Sequence, residues 1–339
     1  MKALAYAANN RLQLEDRPRP EPQGPHDVLV RVRQTGICGT DRSILVGKFR
    51  AKVGTVLGHE SVGHVEKIGT AVTRVKVGER VIINPTLYCG SCDECLSGHT
   101  SFCLHKSGTE VGVDRDGAFA EFILLPEHFL HRIPDGMSFD RAVMVEPLAC
   151  AINNVEAATT VAGEDVVVVG AGPIGVVTAM LCLHMGTRIT LIESDSYRRQ
   201  HCAHIFKDSA DRITLAHPEH RLRRVGDVVI DSVGDQLDAC LSLAKDRGRI
   251  VVMGYNSRSV VSIRPLELVQ RAIRVIGAGD YCGHLFPRAV ELARLIPLEA
   301  VISDRFSLSE FEKAFSLLAP NPAVDYHALK VLLVPDLIP

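Results

Sequence analysis

The run Asp165-Val-Val-Val-Val169 leads directly into Gly170-Ala-Gly172-Pro173-Ile174-Gly175, and this junction constrains the 339-residue chain more than any other stretch. Four successive valines without polar alternation suit a strand buried on both faces. The following G-x-G-x-x-G pattern opens a helical stretch that continues to about Met185. In that setting the first glycine allows the tight turn and the second lets backbone approach a pyrophosphate. The third lets helix pack closely on strand, and the helix N-terminus offers amide donors to an anion. A tight strand-to-helix turn with no ligand is the other reading of the same glycines.

The alternation continues. Strands are predicted at Arg188–Glu193, Asp227–Ser232, Arg249–Gly254 and Ile273–Gly277, with a helix near Gln236–Lys245. Strands alternating with helices predict a parallel sheet with right-handed crossovers. The fold class expected is therefore α/β, with a doubly wound Rossmann sheet over residues 151–285. Glu193 ends the second strand, where a carboxylate can accept from the ribose hydroxyls of NAD and repel a 2′-phosphate. NAD is expected over NADP, although Arg198 is near enough in sequence to compensate a phosphate.

Residues 1–150 have a different texture, with short strands such as Val28–Gln34 and Ser61–Lys67 broken by Gly and Pro. Within them Cys89, Cys92, Cys95 and Cys103 bring four thiols into one loop. Four sulfurs with no vacant position describe a structural tetrahedral zinc site. Disulfides in an oxidising compartment, or a redox pair, are the alternatives. Cys38 follows one predicted strand, and His59-Glu60 precede another. Cys, His and carboxylate form a plausible shell for a zinc that keeps one position open, but spacing alone leaves them equally readable as core or surface residues.

A formal net charge of −2 gives no electrostatic case for nucleic acid or an anionic membrane as partner. The start, Met-Lys-Ala-Leu-Ala-Tyr, lacks the apolar core of a signal peptide, so a cytoplasmic location is expected. No internal repeat is evident.

The motifs Gly36-Ile-Cys-Gly-Thr-Asp41, Leu57-Gly-His-Glu60, the four-cysteine lobe, Val145-Glu-Pro-Leu148 and Gly170–Gly175 occur in the order seen in the zinc-dependent medium-chain alcohol dehydrogenases. Across essentially its whole length the chain resembles the sorbitol, threonine and sugar-acid dehydrogenase branch of that family. The resemblance implies a mainly β, GroES-like catalytic domain over residues 1–150, completed by 286–339. It implies a catalytic zinc on Cys38, His59 and Glu60, with Glu146 as a further, sometimes water-mediated, ligand, and a second zinc that is structural. Asp41 would orient the zinc-bound histidine, a turn cap being its other reading, and Thr40 would pass the substrate proton outward. It further implies a small-molecule alcohol as substrate and a homodimer or homotetramer.

Two positions depart from the pattern. Ser43 stands where many relatives carry a histidine that completes the proton relay. Asp280 stands where sorbitol dehydrogenases carry an arginine, which raises an amino sugar or aminocyclitol as substrate against the plainer reading of a loop aspartate.

Overall fold

A computed structural model describes residues 1–8, 10–318 and 328–335. The chain divides into two compact units. One comprises Met1–Glu146, Cys282–Ala319 and Lys330–Pro339, and the other Pro147–Tyr281 and Pro320–Leu329.

The second unit is built on six parallel strands. Their spatial order is Ile213–Ala216, Arg188–Ile192, Asp165–Val169, Gly226–Asp231, Ala244–Val252 and Arg274–Gly277. The order reverses beside Asp165–Val169, and such a switch point opens a ligand crevice at the carboxyl ends of the strands. Val166, Val167 and Val168 are fully buried, as their unbroken run demands. Each contributes about 1.5–3 kcal/mol by leaving water. Helix Pro173–His184 is apolar nearly all round and buried from Gly175 to Leu183, which fits a helix enclosed on several sides. Strand Ile213–Ala216 has no counterpart among the predicted elements. Its four residues carry too short a pattern to stand out from a loop.

The first unit is a largely antiparallel seven-stranded sheet beside a two-stranded one. Its order runs Ile302–Ser307, Lys330–Val334, Asp27–Gly36, Glu60–Ile68, Arg80–Ile83 and Leu130–Arg132, with Phe122–Pro126 also pairing to Asp27–Gly36. Val28, Val30, Val32, Val65, Val81, Ile83 and Phe129 form its core. Strand Ile302–Ser307 (ISDRFS) is not predicted from sequence, because its polar residues and half-exposed pattern hide the signal. Gly36 is the pivot of this sheet, opposite Glu60 on one neighbour and Leu332 on the other. No helix among the described residues is long and apolar enough to cross a membrane.

Candidate active site

Strand Asp27–Gly36 ends one residue before Ile37, and Cys38 then caps the short helix Gly39–Leu45. Asp41 lies in the first turn of that helix. Its Oδ2 accepts from the Cys38 backbone N–H at 2.8 Å, which fixes the bend that presents the Cys38 side chain. His59 and Glu60 open the neighbouring strand Glu60–Ile68. The ligand atoms of Cys38, His59 and Glu60 all lie within 4.8 Å of one another.

This cluster could hold a cation. Burial opposes a charged His59, yet Cys38, Asp41 and Glu146 around it raise its pKa well above the ordinary histidine range. Such a concentration of anionic groups fits a metal dication. His59 Nδ1 and Asp41 Oδ1 are both buried without hydrogen-bond partners, and each group feels the other's charge. Asp41 is completely buried. One of its oxygens serves as the turn cap and the other, Oδ1, is left buried on the side of the cluster without a hydrogen-bond partner. Thr40 Oγ1 lies 3.7 Å from Cys38 Sγ, so its hydroxyl borders the same cluster. Glu146, at the start of helix Val145–Ala157, is buried and close enough to act electrostatically on His59.

Cys89, Cys92, Cys95 and Cys103 form the second group, again with sulfurs within 4.8 Å. Cys89 and Cys95 are 3.9 Å apart, as are Cys92 and Cys103. A zinc–sulfur bond of about 2.3 Å gives a tetrahedron with edges of about 3.8 Å, so the spacing fits zinc closely. The amides of Ser91 and Cys92 point at Cys89 Sγ, at 3.4 and 3.3 Å, and those of Cys89 and His105 at Cys103 Sγ, both at 3.4 Å. Donors from Ser91 and Cys92 lower the Cys89 thiol to about 5, whereas burial pushes Cys95 to about 12. The cysteines are free thiols rather than disulfides.

In the other unit, Gly170–Gly175 forms the loop between strand and helix. A Cβ on Gly175 would lie 1.9 Å from Gly170 O, so the loop closes to this shape only with glycine there. Gly172 caps the helix, with Pro173 and Ile174 in its first turn. Open space surrounds the Gly172 Cβ position, which leaves its backbone approachable. Glu193 Oε2 accepts from the Ala171 N–H at 2.7 Å, and Oε1 from the Asp195 N–H at 2.9 Å. Arg198 Nη1 is 3.9 Å from Glu193 Oε2.

Two buried groups, Lys330 and Asp231, escaped the sequence reading, as did the partner of Asp280. Lys330 is among the largest fully buried side chains, with its Nζ against Glu60 Oε2 and donating to Ile37 O at 3.1 Å. A lone lysine opening the otherwise apolar strand Lys330–Val334 was the available signal. Asp231, fully buried, accepts from the amides of Val233, Gly234 and Gln236 and shapes the loop after its strand. Asp280 accepts from the Tyr255 hydroxyl, so its carboxylate already has a donor.

Residues 24–135 match the alcohol dehydrogenase GroES-like domain. The chain is 31% identical to D-xylulose reductase A of Aspergillus oryzae over 326 residues, covering 90% of each protein. It is 30% identical to L-threonine 3-dehydrogenase of Shewanella putrefaciens over 335 residues, 94% of this chain and 96% of that one. A zinc-binding dehydrogenase of Sinorhizobium meliloti 1021, solved bound to NADP, superposes with a TM-score of 0.87 at 30% identity, covering 98% of this chain and 99% of the other. Two zinc-competent side-chain clusters, a Rossmann sheet and full-length similarity at this level together place the chain in the zinc-dependent medium-chain alcohol dehydrogenase family.

Proposed function

We propose that the protein oxidises a secondary alcohol of the polyol or sugar-acid type with NAD. The Cys38, His59 and Glu60 cluster carries this reading, because three ligands rather than four leave a position for a substrate hydroxyl. When bound, the metal supplies Lewis acidity toward that hydroxyl and the nicotinamide accepts the hydride. The chain's own residues do the rest. Asp41 holds the His59 ring in one tautomer, Glu146 supplies a further carboxylate, and the Thr40 hydroxyl takes the substrate proton and hands it outward. With Ser43 where relatives place histidine, the relay ends on solvent or on a cofactor hydroxyl.

The preference for NAD is supported by the Glu193 carboxylate, which would repel a 2′-phosphate beside it. Arg198 stays within 3.9 Å of that carboxylate and offsets part of its charge. The four-cysteine lobe is assigned the structural zinc. Residues 1–150 with 286–339 serve as the catalytic domain and 151–285 as the cofactor domain. Free thiols in a zinc lobe suit a reducing, cytoplasmic compartment. A homo-oligomer is supported by strand Arg274–Gly277, which ends its sheet with Val275 exposed, and by the exposed side chains of Leu266 and Val269 in the helix before it.

The test is turnover of a panel of polyols, sugar acids and secondary alcohols with NAD and with NADP, alongside metal analysis. Two zincs per chain and NAD-linked oxidation of a secondary alcohol are expected. A chain that binds no zinc and oxidises none of the panel would overturn the reading.

A further inference from the structure

Lys330 has no part in the proposed chemistry, yet it lies fully buried beside the metal cluster. A lysine ammonium is almost never fully buried without a dedicated partner, yet Lys330 and Glu60 are each 1% exposed. Their meeting depends on a missing side chain. Gly36 lies on the strand between them, and a Cβ there would fall 2.2 Å from Glu60 Oε2, 2.7 Å from Lys330 Cε and 3.0 Å from Lys330 Nζ. The carboxylate and the ammonium thus reach one another across a strand that carries no side chain at the crossing. The same ammonium donates to Ile37 O, the carbonyl just before Cys38. Lys330 therefore grips both segments that carry candidate metal ligands.

We propose that Lys330 is a positioning residue that limits how strongly Glu60 holds the metal. This inference rests on the reading of Cys38, His59 and Glu60 as the catalytic metal site. One oxygen of Glu60 is engaged by Lys330, so a metal meets a carboxylate that can offer one oxygen and whose charge is already shared. The ammonium draws charge from the oxygen it engages, so this carboxylate attracts a dication less strongly than a free one would. The ammonium adds a direct repulsion toward a dication in a region with little water to screen it. Asp41 and Lys330 then act in opposite senses on the site. The buried acid strengthens its histidine as a donor, and the buried ammonium weakens its carboxylate. A site that must exchange substrate for product on a bound ion gains from a ligand that can let go.

Metal release from the full-length zinc-loaded protein to a chromophoric chelator tests this. The phase belonging to the site is identified as the one absent from Cys38→Ala. Lys330→Met is expected to slow that phase by about tenfold as the repulsion toward the dication is removed, and Lys330→Arg, which keeps the cation, to stay within about threefold of the original rate. In Lys330→Met the further change Glu60→Gln should restore fast release. A lysine serving packing alone predicts the opposite direction, with looser metal once the buried pair is broken. Should Lys330→Met not fold, Lys330→Gln drops the charge while keeping a donor for Ile37 O and Glu60, and carries the same expectation. Release at the original rate or faster in the neutral variants, or equal behaviour of Lys330→Arg and Lys330→Met, overturns the proposal. Equal metal content in the original protein and Cys38→Ala would mean that the site reading itself is wrong, and the proposal falls with it.

Discussion

Glu193 Oε2 accepts a 2.7 Å hydrogen bond from the Ala171 amide, so the carboxylate after strand Arg188–Ile192 fastens the glycine-rich loop that follows its neighbour, Asp165–Val169. The residue expected to meet the ribose is thereby also part of the scaffold that shapes the pyrophosphate loop.

Glu193→Ala should raise the KM for NAD by roughly tenfold or more, in line with about 1.5–3 kcal/mol for a hydrogen bond to a charged group. The preference for NAD over NADP should narrow as well, since Arg198 would then face the site without its carboxylate neighbour. Steady-state kinetics with both cofactors check this, and an unchanged NAD to NADP ratio would exclude Glu193 from cofactor choice.

Thr40→Val should lower turnover far more than Ser43→Ala, by roughly a hundredfold if the hydroxyl acts in general acid–base transfer. Metal content should stay at the original level in both variants. Negligible and equal losses would rule out a relay through Thr40.

Cys92→Ser removes one of four sulfurs from the lobe. About one zinc equivalent per chain should disappear and the melting temperature should fall, because binding energy at a structural site is folding energy. The protein that remains folded should keep its turnover at low temperature. A full complement of metal in Cys92→Ser would contradict the tetrahedral assignment.

His131 supplies a pH signature. Burial, with a smaller contribution from Arg74, lowers its pKa from 6.5 to about 4. An unfolded histidine titrates near 6.5, so below that pH the unfolded chain binds a proton the folded chain refuses. The associated stability is fully present above about pH 6.5 and is lost as pH falls toward about 4. The loss is on the order of 3 kcal/mol. His131→Leu should flatten that part of the stability profile, measured as denaturant midpoints from pH 7 to 4.5. Superimposable profiles would show that His131 titrates normally.

What the sequence disclosed follows from the range over which each interaction acts. The valine run, the glycine spacing and the cysteine spacing are local patterns, and each encodes its element within a few residues. Cys38, His59 and Glu60 are drawn from neighbouring strands, and only their order among the family motifs pointed to a common site. Lys330 lies far beyond them in the chain, and no local pattern links it to Glu60. Its partnership depends on the pairing of strand Lys330–Val334 with Asp27–Gly36, and on Gly36 being the residue at the crossing. Asp231 escaped for a related reason. An aspartate before a glycine-containing turn reads as ordinary loop chemistry until its three amide donors are seen.

The late position of Lys330 has a consequence during synthesis. Cys38, His59, Glu60 and the cysteine lobe leave the ribosome long before the strand that carries the ammonium, with the Rossmann unit made in between. The nascent first unit therefore carries a metal-binding cluster whose counter-charge has not yet arrived, and the end of strand Asp27–Gly36 lacks one of its partners. Closure of that sheet must wait for a contact of very long sequence separation, a slow class of folding event that leaves strand edges open meanwhile. Until then, Glu60 stands without the buried ammonium that engages it in the folded protein.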